Sequence, residues 1–284
     1  MKQKTTLEKQ RKGKSVTDSA LIARLKDRLY PMLMLLSKTK VKYKVHAVNP
    51  CISLPDRPII FAANHSAFQD TPIALKVTGR RSYIFAGKQN LTFLDWLFFT
   101  LNGSIWVDRK NKEDLTAAKS ALLAYLSRGE SILWFPEGTW NLTDNLLMLP
   151  MKWGIIDIAT KAGAQIVPLA LDYNRNDMTC YVSFGEPIVP NDVINKADAI
   201  RNLRDTIATL RWELWEKRPP LTEYDKQELK AEVYAALTEY PPLDWNYESS
   251  IIFQPYEPPQ RAFAHLKQIE PQNKNAFLFK GDKE

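Results

Sequence analysis

Pro58-Ile59-Ile60-Phe61-Ala62-Ala63-Asn64-His65-Ser66-Ala67-Phe68-Gln69-Asp70-Thr71-Pro72 decides how the chain is read. Pro58 to Ala63 is continuously apolar, which predicts a strand buried on both faces, as in a parallel sheet. Thr71-Pro72 predicts the start of a helix, with Thr71 as N-cap and Pro72 in the first helical position. Between them, beyond the carboxyl end of the strand, lies the place where open α/β sheets put their chemistry. His65 stands there, five residues ahead of Asp70. Histidine titrates near neutral pH, and a carboxylate beside it fixes its tautomer and stabilises its charged form. Read alone, the pair is either a proton-transfer site or a loop histidine tied to an aspartate for stability. The other two histidines, His46 and His265, follow no such strand.

Working outward, strands alternate with helices. Val41 to Val48 alternates, with Val41, Tyr43, Val45 and Ala47 on one side and Lys42, Lys44 and His46 on the other, which predicts a half-exposed edge strand. Ser82 to Ala86, Ser104 to Val107, Ser131 to Phe135 and Ile166 to Leu171 are further strand candidates. Lys112 to Arg128 carries Leu115, Ala118, Leu122 and Leu126 on one face and ends at Gly129, a helix with a glycine C-cap. Gly154 to Lys161 is helical, and Asn195 to Lys217 is a long helix with Leu203, Ile207, Leu210 and Leu214 in register, stopped by Pro219-Pro220. The pattern predicts an α/β fold with a mixed, largely parallel sheet flanked by helices. It divides the chain into a basic tail and amphipathic helix (1–40), a main domain (41–218) and a proline-broken but apolar C-terminal appendage (219–284).

The chain of 284 residues carries a net charge of +7, which favours anionic partners. Lys2, Lys4, Lys9, Arg11, Lys12 and Lys14 crowd its start, and Lys38, Lys40, Lys42 and Lys44 form a second cluster. Between them Leu21, Leu25, Leu29, Leu33 and Leu36 recur at helical spacing. Such a helix either lies in a membrane interface or packs on the domain behind a basic tail. The apolar runs 29–36 and 93–101 are well short of the roughly 20 residues of a spanning helix. The N-terminus does not resemble a secretory signal, and Cys51 and Cys180 make neither a disulfide framework nor a metal cluster. Zinc-finger, helix-turn-helix and RNP-like signals are missing, so nucleic acid is disfavoured as the anionic partner. The expectation is a cytoplasmic protein, peripheral on an anionic membrane surface.

Three more segments bear on His65. Gly103-Ser-Ile-Trp-Val-Asp-Arg109 is a strand ending in an acid-base pair, Phe135-Pro-Glu-Gly-Thr-Trp140 runs a strand into a turn with a carboxylate and a glycine, and Val167-Pro-Leu169 opens a buried strand. In this order NHxxxxD, GxIxxxR, FPEGT and VPL resemble the four sequence blocks of the glycerolipid acyltransferase family, which includes bacterial 1-acylglycerol-3-phosphate acyltransferases and lysophospholipid acyltransferases. The resemblance covers about Pro58 to Pro190. It implies that His65 is the general base on an acceptor hydroxyl, oriented by Asp70, and that the hydroxyl attacks the thioester of acyl-CoA or acyl carrier protein directly. It implies that Asn64, Arg109, Glu137, Gly138 and Thr139 bind substrate, that Val167-Pro168-Leu169 lines the site, and that neither a cofactor nor a metal is needed. The chain departs from the family at Trp140, where the third block commonly ends in Arg or Ser. A second phosphate contact is then replaced by aromatic stacking, or by a cation among Arg80, Arg81, Lys88 and Lys152.

The physical reading agrees with the implied roles. A thioester is already activated, so removing the proton of a positioned alcohol suffices for transfer. Arg109 is permanently charged and forks its donors toward a phosphate, although it could also pair with Asp108. Two other readings remain open: an ester or thioester hydrolase, disfavoured because no G-x-S-x-G elbow is present, and a non-catalytic membrane-binding module.

Overall fold

The computed structural model describes residues 11–12, 18–37, 41–50, 54, 58–67, 69–88, 90–91, 93–141, 147–174, 177–190, 195–217, 227–228 and 231. Apart from residues 227, 228 and 231, the expected appendage (219–284), with its apolar residues from Leu243 onward, lies outside the described residues, as do most of the basic tail and Lys38 and Lys40.

In chain order the elements are β1 (Arg11–Lys12), α1 (Ala20–Ser37), β2 (Lys44–Asn49), β3 (Ile59–Ala63), α2 (Asp70–Val77), β4 (Ser82–Gly87), β5 (Asn90–Leu91), α3 (Phe93–Asn102), β6 (Ser104–Val107), α4 (Lys112–Leu126), β7 (Ser131–Trp134), α5 (Gly154–Ala162), β8 (Gln165–Asn174), β9 (Thr179–Phe184) and α6 (Lys196–Lys217). Seven strands form one sheet in the order β2-β9-β8-β3-β7-β4-β6, and β1 pairs with β5 as a separate two-stranded ladder. Within the large sheet every pair is parallel except β8 with β9.

Both faces of the sheet are covered, which is why β3 reads as an unbroken apolar run. Ile60 and Ala62 pack with α4, α5 and α6 on one face, while Ile59, Phe61 and Ala63 pack with α2 on the other, where Phe98 and Phe99 of α3 join them. The order of strands and faces follows from right-handed crossovers. From β3 the chain moves outward to β4 and β6 through α2 and α3 on one face. It returns to β7 and then β8 through α4 and α5 on the opposite face. The adjacent parallel strands β3 and β7 therefore send their following loops to opposite faces and leave a crevice at their carboxyl ends.

Several boundaries differ from the sequence reading. The helix after His65 begins at Asp70, with Gln69 in the N-cap position, so Thr71 lies inside the first turn and is not the cap. The helix is initiated without a side-chain cap because the Asp70 carboxylate folds back onto the preceding loop. Strand β2 is the sheet edge as expected, but its register shifts between Ala47 and Asn49, which exposes Ala47 and turns Val48 toward the α6 side. Helix α4 stops at Leu126, and Gly129 follows at φ +78° in the turn beyond it. The 93–101 run forms α3, and β9 is a strand the sequence reading does not contain.

Helix α1 forms over the expected residues, but its leucine stripe is split between the two sides of the helix. Leu21 and Leu25 of the leucine stripe are 78% and 56% exposed. Leu33 of the same stripe is buried together with Ala23, and polar contacts hold the helix on the body. The Asp27 carboxylate accepts from Arg81 Nε at 2.6 Å, Lys26 pairs with Asp18 at 2.7 Å, and the Tyr30 hydroxyl donates to the Leu75 carbonyl at 2.7 Å.

Candidate active site

His65 stands two residues beyond the end of β3, at the mouth of the crevice between β3 and β7. Its Nδ1 lies 2.8 Å from Asp70 Oδ2. The same oxygen accepts the backbone N–H groups of Ser66 at 2.6 Å and Ala67 at 2.8 Å, so the five-residue spacing closes a loop around one carboxylate. An oxygen serving as acceptor to two amides presents lone pairs to the ring; Nδ1 therefore carries the hydrogen and Nε2 the basic lone pair. Asp70 Oδ1 accepts from the Tyr173 hydroxyl at 2.5 Å. Asp70 is wholly buried, and these bonds give both of its oxygens partners. Burial, and the Asp70 carboxylate beside it, push the Tyr173 hydroxyl well above its ordinary range, which keeps it a donor.

The backbone of the same loop is fixed from two other strands. Glu137, after β7, accepts the His65 amide on Oε1 at 2.8 Å and the Leu149 amide on Oε2 at 2.7 Å. The Asn141 amide donates to the His65 carbonyl at 2.6 Å. The Asn64 side chain exchanges two bonds with the Leu171 backbone of β8, accepting at 2.7 Å and donating at 3.0 Å. Burial pushes the Glu137 carboxyl up to about 7, opposed by the two amide bonds and by Arg211. Its ionised form accepts both amides at once, so this turn acid clamps the base loop.

Of the residues expected to bind substrate, Asn64 and Glu137 are thus engaged with backbone inside the protein and lie behind the histidine. Gly138 and Thr139 are half-buried in the turn after β7. Gly138 adopts φ +76°, a conformation that favours glycine, and its carbonyl accepts from Arg109 Nη1 at 2.5 Å. Arg109, after β6, is half-buried and so is brought to the same turn. Among the cations considered as a substitute at Trp140, Arg81 is buried under α1 on Asp27, Glu130 and the Asn102 carbonyl, and Lys88 pairs with Asp114 at 2.6 Å. Lys152 is exposed and Arg80 half-buried.

Aromatic rings complete the site. The His65 ring stacks on Phe135 with centroids 4.2 Å apart and lies 4.8 Å from Trp140 at an interplanar angle of 32°. Trp140 thus packs against the base itself. Tyr173, Asn141 and Leu149 escape the sequence reading. Tyr173 follows the Val-Pro-Leu segment on a strand that runs further than its apolar core, and nothing local marks it as a partner of Asp70. Asn141 and Leu149 act through backbone amides, which carry no residue signal.

A half-buried histidine held by a wholly buried aspartate, at the switch point of a largely parallel sheet, is an arrangement that can take up a proton. Residues 42–172 match the family model described as Acyltransferase. The 1-acyl-sn-glycerol-3-phosphate acyltransferase of Saccharomyces cerevisiae is 30% identical over 127 residues, covering 42% of this chain and 40% of that protein. Enzymes of the same name from Chlamydomonas reinhardtii and Neisseria gonorrhoeae are 29% and 28% identical, covering 41% and 47% of this chain and 35% and 54% of theirs. The chain therefore matches roughly a third to a half of the length of these curated relatives. The crystal structure of the 1-acyl-sn-glycerophosphate acyltransferase from Thermotoga maritima shares the fold, with a TM-score of 0.55 at 18% identity over 70% of this chain and 84% of that one.

Proposed function

We propose that the protein moves a fatty acyl group from an acyl thioester, acyl-CoA or acyl carrier protein, to a hydroxyl of a lysophospholipid or glycerol-phosphate-type acceptor. The observation that carries this reading is the His65-Asp70 pair, with Nδ1 committed to the carboxylate and Nε2 left as the base, inside the stretch that matches the Acyltransferase family model. His65 Nε2 takes the acceptor proton, and Asp70 stabilises the imidazolium that results. Asn64, Glu137 and Tyr173 act as positioning residues that hold the base in place before substrate arrives. Arg109, fixed at the Phe135–Trp140 turn, supplies a cation for the phosphate of the acceptor, with Gly138 and Thr139 beside it.

The outward stripe of α1 supports the membrane side of the reading. Leu21, Leu25, Met32 and Leu35 are exposed along one side of the helix, with Arg24 and Arg28 also exposed. Phe93 and Leu94, at the start of the neighbouring α3, are 57% and 60% exposed. Among the described residues no helix is long and apolar enough to cross a membrane. An apolar stripe with flanking cations suits a helix lying in an anionic interface, where a lysolipid acceptor is found.

The test is an acyl-transfer assay with lysolipid acceptors and both donor types, read by product mass. His65→Ala is expected to lower kcat by about 10²–10⁴-fold with the melting temperature retained. Full activity in that variant sinks the mechanism. Free fatty acid released at the same rate with and without lysolipid identifies a hydrolase instead.

A further inference from the structure

We propose that Ser66 Oγ and Trp140 Nε1 are the hydrogen-bond donors for the thioester carbonyl oxygen as it becomes an oxyanion. The inference rests on the acyl-transfer reading above and assigns a part of that reaction that the His-Asp pair leaves unserved.

Among the described residues, Ser66 Oγ and Trp140 Nε1 are buried atoms that lack a hydrogen-bond partner, and both belong to residues that adjoin His65. Ser66 is the next residue in the chain and is anchored by its amide to Asp70. Trp140 adjoins through its ring, 4.8 Å from the imidazole. The polar side chains behind the histidine, Asn64, Asp70 and Glu137, are by contrast each bonded at both of their heteroatoms. An unmet buried donor costs stability, and such costs persist mainly where function uses the group. Indole N–H can only donate and a serine hydroxyl can donate, so what both lack is an oxygen with lone pairs. Both residues are themselves half-exposed, so a turn about Ser66 χ1 and a small tilt of the indole present the donors to the crevice.

The reaction creates such an oxygen. The acceptor oxygen bonds to the thioester carbonyl carbon while its proton passes to His65 Nε2, and the carbonyl π pair moves onto oxygen. When that pair returns, the carbon-sulfur bond breaks and the thiolate leaves, taking up the proton from His65. Negative charge sits on the former carbonyl oxygen only between these steps, so donors aimed there favour the transition state over the bound substrate. The ring contact of Trp140 with His65 ties one donor residue to the base.

Trp140→Phe keeps a ring against His65 and removes the N–H; Ser66→Ala removes the hydroxyl. Each is expected to lower kcat by about 10–10²-fold, at or below the loss typical of one oxyanion donor, with the acceptor KM changed less than about twofold. The substrate-free melting temperature should hold or rise, because each variant deletes an unmet polar group. Wild-type kcat in both variants overturns the assignment. So does a loss confined to the acceptor KM, which places the donors on the acceptor headgroup, or a lowered melting temperature with unchanged kcat, which makes the atoms structural and water-bound. Running wild type and His65→Ala alongside separates the two levels. If wild type transfers and His65→Ala does not, the acyl-transfer reading stands and the two variants judge the donors alone. If wild type transfers nothing, both fall.

Discussion

Helices α1 and α6 carry the same kind of leucine repeat, but only α6 turns the whole of it inward. In α6 the residues in register, Leu203, Ile207, Leu210 and Leu214, are all buried against the sheet. In α1 the stripe points outward at Leu21 and Leu25 and reaches the body only at Leu33, and the side of the helix that meets the body also carries Ala23, Lys26, Asp27 and Tyr30. Periodicity shows that a helix has two faces; it does not say which face meets the protein. For α1 the choice is made by fixed partners on the body: the Arg81 guanidinium, 2% exposed and shared among Asp27, Glu130 and the Asn102 carbonyl, and the Leu75 carbonyl. Turning the leucines inward would strip Arg81 of one carboxylate and bury apolar groups against a polar cluster.

The contrast is open to direct attack. Leu203→Ala removes a wholly buried side chain from α6 and is expected to cost about 2–5 kcal/mol in chemical denaturation. A loss below 1 kcal/mol, within the reach of about ±0.5 kcal/mol typical of surface positions, would mean that α6 is not part of the core. Arg81→Met should cost about 2 kcal/mol, since it removes charged hydrogen bonds whose carboxylate partners are still in part solvated. The sharper readout is hydrogen exchange, where amides of α1 should lose protection while those of α6 keep it. Equal loss in both helices would show that Arg81 supports the whole domain. Leu21→Ser with Leu25→Ser should change stability by no more than about 0.5 kcal/mol, yet weaken binding to vesicles of anionic phospholipid. Unchanged vesicle binding would remove the membrane role from this stripe.

The sheet was largely legible in the sequence because its strands, buried on both faces, are short apolar runs bounded by polar turns. β3, β6 and β7 fall within a residue of where their composition puts them. β9 was missed because Thr179-Cys-Tyr-Val-Ser-Phe184 mixes polar with apolar residues, and its pairing with the late part of β8 is visible only in three dimensions. At the site, His65 and Asp70 are close in sequence and so could be read together. Tyr173 meets Asp70 from 103 residues away, and Glu137 reaches the amide of His65 from 72 residues away. An acid in a tight turn looks the same in sequence whether it binds a ligand or a backbone amide. The resemblance named Glu137, and the geometry supplied its partners. Trp140 could be seen as a departure from the family pattern, but its contact with the base could not.

The parallel pairing of β2 with β9 also constrains the order in which the chain can fold. β2 lies near the start of the domain, yet its hydrogen-bonding partner is residues 179–184, beyond the end of the matched stretch at residue 172. During synthesis from the N-terminus, β3 can meet β7 and then β8 while β2 still has no strand to join. Closing that edge requires one of the longest loops in the domain, and such non-local pairings are the slow ones. A fragment cut at the family boundary would hold the histidine loop and most of the sheet but leave β2 unpaired, so the evolutionary unit and the folding unit of this protein do not coincide.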